Sequence, residues 1–367
     1  MTTSNSGEPP SLVPDQRVQK FLFSTTSRIL GDYRSERMLV THAWPVEGTD
    51  LVSAWSESPV SCSAYAVVVR TPDSVDYDGA VIPNFSHIGR ILCDYMSLLF
   101  GKRFDNHGMT EGSGYFKLPD FSNLAMRCLH TLPHNSHKPR VDYPVLLDFK
   151  QLSRIAPLVN FTFADSTSLD IARTSIKFYA QALRRVESDP EAAYLDLVTC
   201  GEVLSSAANY DAEILLGREM VDILELMRSQ LPDGDRLARM VGSRMRGIKR
   251  AFVKTLTDRL PTDFFSHRES LPEGYSLQAD DIEKRVAAAY DLRSLHLHTG
   301  APFGAWVAPR YRSNDEIQGG APVVPSESLA KALKLAPTFV GLERITRSCL
   351  LNFLSDCGVL TAGDSLE

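Results

Sequence analysis

The chain has 367 residues, 43% hydrophobic and 23% charged, which is enough apolar chain for two cores of ordinary globular type. Its net charge of −6 excludes a general nucleic-acid coat protein but not a nuclease, because the local field decides where phosphate binds. No apolar run approaches the ~18 residues of a membrane span, and six scattered cysteines without a CxxC pair suit reduced thiols in a cytoplasm.

Residues 1–15 are polar and Pro-containing, without the basic start and apolar centre of a signal peptide, and predict a disordered tail. Residues 16–150 read as a mixed α/β domain of unknown function. Met38–Ala43, Ser63–Val69 and Tyr143–Phe149 are β-branched or aromatic runs that predict strands. Between them Ser86 can cap a helix that buries Ile88, Ile91, Leu92, Tyr95, Met96 and Leu99. Cys128, His130, His134 and His137 place four residues of metal-ligand type within ten positions. Structural zinc sites draw ligand pairs from separated elements, whereas this is one Pro-interrupted loop. No metal or cofactor is therefore predicted, and a metal-dependent protein centred on Cys128–His137 stays as a further alternative.

Residues 151–167 read as a linker, after which the pattern turns helical from 168 to 358, with 359–367 as a tail. Ser168 can cap a helix carrying Ile171, Ile176, Phe178, Tyr179 and Leu183. Asp189-Pro190-Glu191 combines a cap, a proline at the first helical position and an acid at the positive end of the dipole. That helix is expected to run to about Ala208, and another from Asn209 to Gln230. Leu231-Pro232-Asp233-Gly234 then breaks the chain. Arg236, Arg239, Arg244, Arg246, Lys249, Arg250, Lys254 and Arg259 face only Asp235 and Asp258 across residues 235–259. This basic segment fits a solvated helix face or an RNA contact through Arg244, Arg246, Lys249 and Arg250. Ser328–Cys357 predicts one final helix that buries Leu329, Leu333, Phe339, Leu342, Ile345, Leu350 and Phe353.

Asp280 and Glu283 form a capping-box pattern that opens a helix ending at Gly300. Ile282, Val286, Ala289, Tyr290 and Leu297 fall on one face, with Arg293 in the middle of that apolar stripe. A guanidinium there costs several kcal/mol unless a carboxylate, a phosphate or a partner surface satisfies it. Glu202 interrupts the helix otherwise built from Leu195, Leu197, Val198, Val203 and Leu204, and its obvious partner is Arg293. His298 lies at the helix end. A five-residue offset sets it about 140° and ~7.5 Å from Arg293 in a regular helix. The two converge only if the helix loosens near Gly300 or a second subunit completes the pocket. Without such convergence, Arg293 is an internal ion-pair partner and His298 a cation favoured by the helix dipole.

The run Arg293-Ser294-Leu295-His296-Leu297-His298 resembles the R-x(4–6)-H signature of the HEPN superfamily. YLDLVTCGEVLSS at 194–206 and YDLRSLHLHTG at 290–300 are similar to its ApeA-like branch. The chain reads His298-Thr299-Gly300 where relatives often read HG. The resemblance covers roughly residues 165–357. It implies an α-helical bundle that dimerises, and a metal-independent endoribonuclease in phage defence or a toxin system. His suits proton transfer and Arg the phosphate oxygens. Arg293 and His298 are the catalytic candidates, with Glu202, Ser294 and His296 in support; Asp291 flanks the motif, and Tyr290 is expected in the core.

The fold class expected is α+β: a mixed α/β N-terminal domain followed by an all-α HEPN-like bundle of five or six helices. The function expected is a cytoplasmic endoribonuclease. Its partners would be RNA, tRNA among the candidates, a second copy of the chain, and a trigger or inhibitor protein read by the N-terminal half. No membrane partner is expected. The alternative is a non-catalytic HEPN-like module for dimerisation or RNA/nucleotide binding.

Overall fold

The computed structural model describes residues 16–43, 62–72, 85–112, 115–116, 128–208, 210, 215–216, 218–244, 247–310 and 313–361. All described strands lie before residue 117, and of the described α-helices all but Ser86–Phe100 lie after 155, so the chain is α+β. The strands are β1 (Gln16–Thr25), β2 (Tyr33–Arg34), β3 (Met38–His42), β4 (Ser63–Pro72), β5 (Phe104–Gly112) and β6 (Tyr115–Phe116). They form one antiparallel sheet in the order β2-β3-β4-β1-β5-β6. The register sets Phe21 opposite Val67 and Phe23 opposite Tyr65. Alternation then puts Phe21, Phe23, Val40, Tyr65, Val67 and Val69 on one buried face.

That face is covered by α1 (Ser86–Phe100), whose Gly89 sits so close that a Cβ would lie 2.7 Å from the Phe21 ring. Ser86 is the first helical residue rather than its cap; Phe85 occupies the cap position with no side-chain bond. Tyr143–Phe149, expected as a strand, makes only one parallel bridge, Leu30 to Asp148, and its end turns into a 3-10 helix at Phe149–Ile155. With no second strand to pair against, it buries Val145 and Phe149 and leaves Leu146 exposed. Leu152, Ile155, Leu158 and Val159 are also buried, the last two in the short helix α2 (Ala156–Val159).

The bundle comprises α3 (Ser166–Arg185), α4 (Pro190–Ser205), α5 (Arg218–Gln230), α6 (Gly234–Arg244), α7 (Ile248–Asp258), α8 (Ile282–Thr299), α9 (Gly304–Val307), α10 (Glu327–Leu335) and α11 (Phe339–Asp356). Asp165, not Ser168, caps α3, accepting from Thr167 and Ser168 N–H. Asp189 caps α4 through the Ala192 N–H at 3.0 Å, with Pro190 first in the helix. The expected final helix is two. Pro337 has no N–H for a helical bond and forces Ala336 to an extended ψ of 141°, after which Thr338 caps a fresh start.

One buried cluster runs from Phe21 and Tyr65 in the sheet, through α1, to Leu350 of α11. A smaller cluster of Leu216, Leu224 and Ala238 holds the α5–α6 pair. Helix α11 packs against α1, α3, α4 and α7 and is buried almost all round. It therefore carries Glu343, Arg344 and Arg347 inside, and each is paired. Arg140 meets Glu343 through two bonds of 2.8 and 2.7 Å and Glu269 at 2.7 Å, while the Tyr179 hydroxyl donates to Glu343. Arg344 pairs with Glu316 at 2.8 Å. Arg347 donates to the Leu98 and Leu99 carbonyls at the end of α1 and pairs with Asp142. Buried carboxylates and guanidinium groups persist only when matched in this way.

Candidate functional site

Helix α8 carries the sequence motif. Asp281, not Asp280, precedes its first turn; its carboxylate makes no cap and instead pairs with Arg285 at 2.6 Å. Gly300 closes the helix in the left-handed region at φ 67°, and its N–H bonds the His296 carbonyl at 2.8 Å. The helix stays regular through Thr299 and does not loosen at Gly300.

The buried stripe is Ile282, Val286, Ala288, Ala289 and Leu292. Arg293 lies at its border, and Leu297 is 59% exposed because the last turns of α8 run past the body of the bundle. Arg293 Nη2 meets Glu202 Oε2 of α4 at 3.1 Å, and its guanidinium lies 5.7 Å from the centre of the Tyr290 ring. Burial pushes the Glu202 carboxyl above its usual range, against the pull of Arg293 and the Tyr290 hydroxyl. Tyr290 is half-buried against Phe252 rather than fully in the core.

His298 is exposed, and no hydrogen bond or ion pair engages it among the described residues. The unbroken five-residue step directs it about 140° away from Arg293. A single chain therefore separates the two candidates, which leaves convergence to a second copy. His296 turns the other way. Its Nδ1 lies 3.2 Å from both the Ala301 carbonyl and Glu191 Oε1, and its ring packs on Phe303. Glu191 also accepts the Phe303 N–H, so His296 tethers the turn after α8 to the start of α4.

Two grooves flank the outer ridge of α8. One, of about 480 Å³, lies between α8 and α10 and includes Asp291, Ser294, Lys284 and Lys331. The other, of about 610 Å³, lies between α7 and α8 and includes Lys249, Arg250, Lys254 and Lys284. Both Asp291 oxygens accept from Lys249 Nζ at 2.7 Å, and Arg250 donates to the Leu215 carbonyl. Lys249 and Arg250 thus border a groove beside the motif helix, partly engaged by protein acceptors. Arg246 and the side chain of Arg244 lie outside the described residues.

Of the Cys128–His137 residues, Cys128 Sγ lies 3.4 Å from His130 Nε2 and the His137 ring packs on His130, but His134 is turned away from them. His134 points into the core beside the Phe339 ring, and burial holds its imidazole well below the usual pKa. Among the described residues no group of three or more His, Cys, Asp or Glu side chains is placed to hold a metal ion. Sequence reasoning missed the charged interior of α11, although Glu343, Arg344 and Arg347 stand within an otherwise apolar helix. It also missed the interaction between the Cys62 and Cys128 thiols, which no local pattern could reveal. No helix among the described residues is long and apolar enough to cross a membrane. Comparison with protein-family models, curated proteins and solved structures finds no match for the chain.

Proposed function

We propose that the protein is a HEPN-like endoribonuclease of the cytoplasm whose active site is completed by two copies of α8 in a homodimer. The observation that carries this reading is the Glu202–Arg293 pair. A carboxylate from α4 and the Tyr290 ring hold a part-exposed guanidinium in a fixed orientation at the bundle surface. Arg293 would grip the scissile phosphate, and a His298 imidazole would move the proton between the 2′-oxygen, the leaving 5′-oxygen and solvent. The product would carry a 2′,3′-cyclic phosphate. The resemblance implies chemistry without a metal ion, and a role in phage defence or a toxin system with the N-terminal half sensing a trigger. Lys249 and Arg250 would steer the RNA backbone along the α7–α8 groove.

The second reading, a HEPN-like module for dimerisation or RNA binding without cleavage, is favoured by one observation: Arg293 and His298 diverge on an unbroken helix. Pure protein incubated with total RNA and tRNA in EDTA separates the two. Cleavage is expected to fall ~10²-fold or more in Arg293→Ala and in His298→Ala, with sedimentation reporting a dimer. Undiminished cleavage by the Arg293→Ala/His298→Ala double variant refutes the nuclease site. A monomeric protein that binds RNA and leaves it intact supports the module.

A further inference from the structure

Cys62 stands immediately before β4, and Cys128 lies in the irregular segment ahead of the buried Arg140. The two thiols act on each other: their interaction pushes the Cys62 thiol up and the Cys128 thiol down. On the other side of Cys128, His130 Nε2 lies 3.4 Å from Sγ. His130 Nδ1 faces the Asn135 carbonyl at 3.0 Å, which fixes the proton on Nδ1 and leaves Nε2 to accept from the thiol. Glu187 also acts on Cys128, and Asp105 and Arg103 on Cys62. The neighbouring Leu129 lines a cavity of about 770 Å³ together with Arg103, Asp105 and Glu187. Cys62 and Cys128 keep 9% and 7% of their surface, whereas Cys200 and Cys349 keep none.

We propose that Cys128 and Cys62 form an oxidation site for small hydroperoxides, with Cys128 the nucleophile, His130 its proton partner and Cys62 the resolving thiol. The Cys128 thiolate attacks one peroxide oxygen; an S–O bond forms, the O–O bond breaks, and the departing oxygen takes the proton held on His130. The Cys62 sulfur then attacks the sulfenic sulfur. An S–S bond forms, the S–O bond breaks, and hydroxide leaves with the Cys62 proton as water. Two thiols and one hydroperoxide give one disulfide, one alcohol (water, for hydrogen peroxide) and one water.

The electrostatics agree. The Cys62 hydrogen bond, with His130 beside it, pulls the Cys128 thiol down to about 5, while burial pushes Cys93, Cys200 and Cys349 up. Near neutral pH the lowered thiol is therefore more thiolate than an ordinary cysteine. The lower intrinsic nucleophilicity of the more acidic thiol offsets part of that gain.

The test treats the full chain with one equivalent of hydrogen peroxide at pH 6, alkylates, and maps the peptides. The expected result is a Cys62–Cys128 disulfide reversed by dithiothreitol, with Cys128 alkylated faster than Cys357 in the reduced protein. Cys62→Ser should trap a dimedone-reactive sulfenic acid on Cys128, since the serine hydroxyl still donates to the sulfur. Oxidation spread evenly over the cysteines overturns the proposal. Stoichiometric zinc that protects both thiols would overturn it as well.

Discussion

The charge arrangement around Arg140 predicts an asymmetry that mutation can measure. Arg140 is 1% exposed and stands between two carboxylates, Glu343 and Glu269, each within 2.8 Å of a guanidinium nitrogen. Arg140→Met leaves both carboxylates buried against each other without their cation. Removing one partner of a buried pair costs about 3–5 kcal/mol, so this variant should lie at or above the upper end. Glu343→Gln leaves Arg140 with Glu269 and keeps an amide oxygen for the Tyr179 hydroxyl, and should cost about 1–3 kcal/mol. With roughly 2.1 cal/mol/K per residue over 367 residues, the unfolding entropy is about 0.8 kcal/mol/K, so 4 kcal/mol corresponds to a Tm fall of about 5 °C. Urea denaturation followed by circular dichroism gives the free energies, and thermal melts give the check. If Glu343→Gln costs as much as Arg140→Met, or both cost under ~1 kcal/mol, the account of a two-carboxylate cage is wrong.

Asp189→Ala removes the side-chain acceptor of the Ala192 N–H and should cost about 1 kcal/mol, read from the urea midpoint at constant m value. Asp189→Asn should recover most of it. His134 has its folded pKa well below the ordinary value because burial disfavours the imidazolium, with Arg140, Arg103 and Lys102 adding to it. The unfolded chain therefore binds a proton below about pH 6.5 that the folded chain refuses, and stability is lost as pH falls through that value, by up to about 1.4 kcal/mol per pH unit. His134→Leu should flatten the slope between pH 6.5 and 5.5; an unchanged slope contradicts the neutral buried imidazole.

The elements legible in the sequence are those whose instructions are local. Asp189-Pro190-Glu191 carries cap, first position and dipole partner in three residues, and the helix starts there. Gly300 likewise ends α8 where its free φ is needed. Misreadings arose where tertiary pairing decides. β1 and β5 carry no clear strand pattern, because Lys20 and Gln19 dilute one and Asn106, His107 and Gly108 the other; each is a strand because the other lies beside it. The β-rich Tyr143–Phe149 run found no sheet neighbour beyond one bridge. Of the site, the partnership of Glu202 with Arg293 could be anticipated from charge within apolar helices. The tie of His296 to Glu191 could not, since it depends on how the turn after α8 folds back.

The interior position of α11 has a consequence for biosynthesis. This helix emerges from the ribosome after every other described helix and strand, yet its Arg347 satisfies the last carbonyls of α1 across a separation of 249 residues. Glu343 likewise answers Arg140 203 residues earlier. Until α11 arrives, the end of α1 and the Arg140 guanidinium have no stable interior to occupy, and the nascent sheet and bundle must wait partly open. Long-range closure of this kind slows folding and prolongs the exposure of apolar surface. A chain stopped before Phe339 would therefore be a substrate for chaperones and proteases rather than a smaller folded protein.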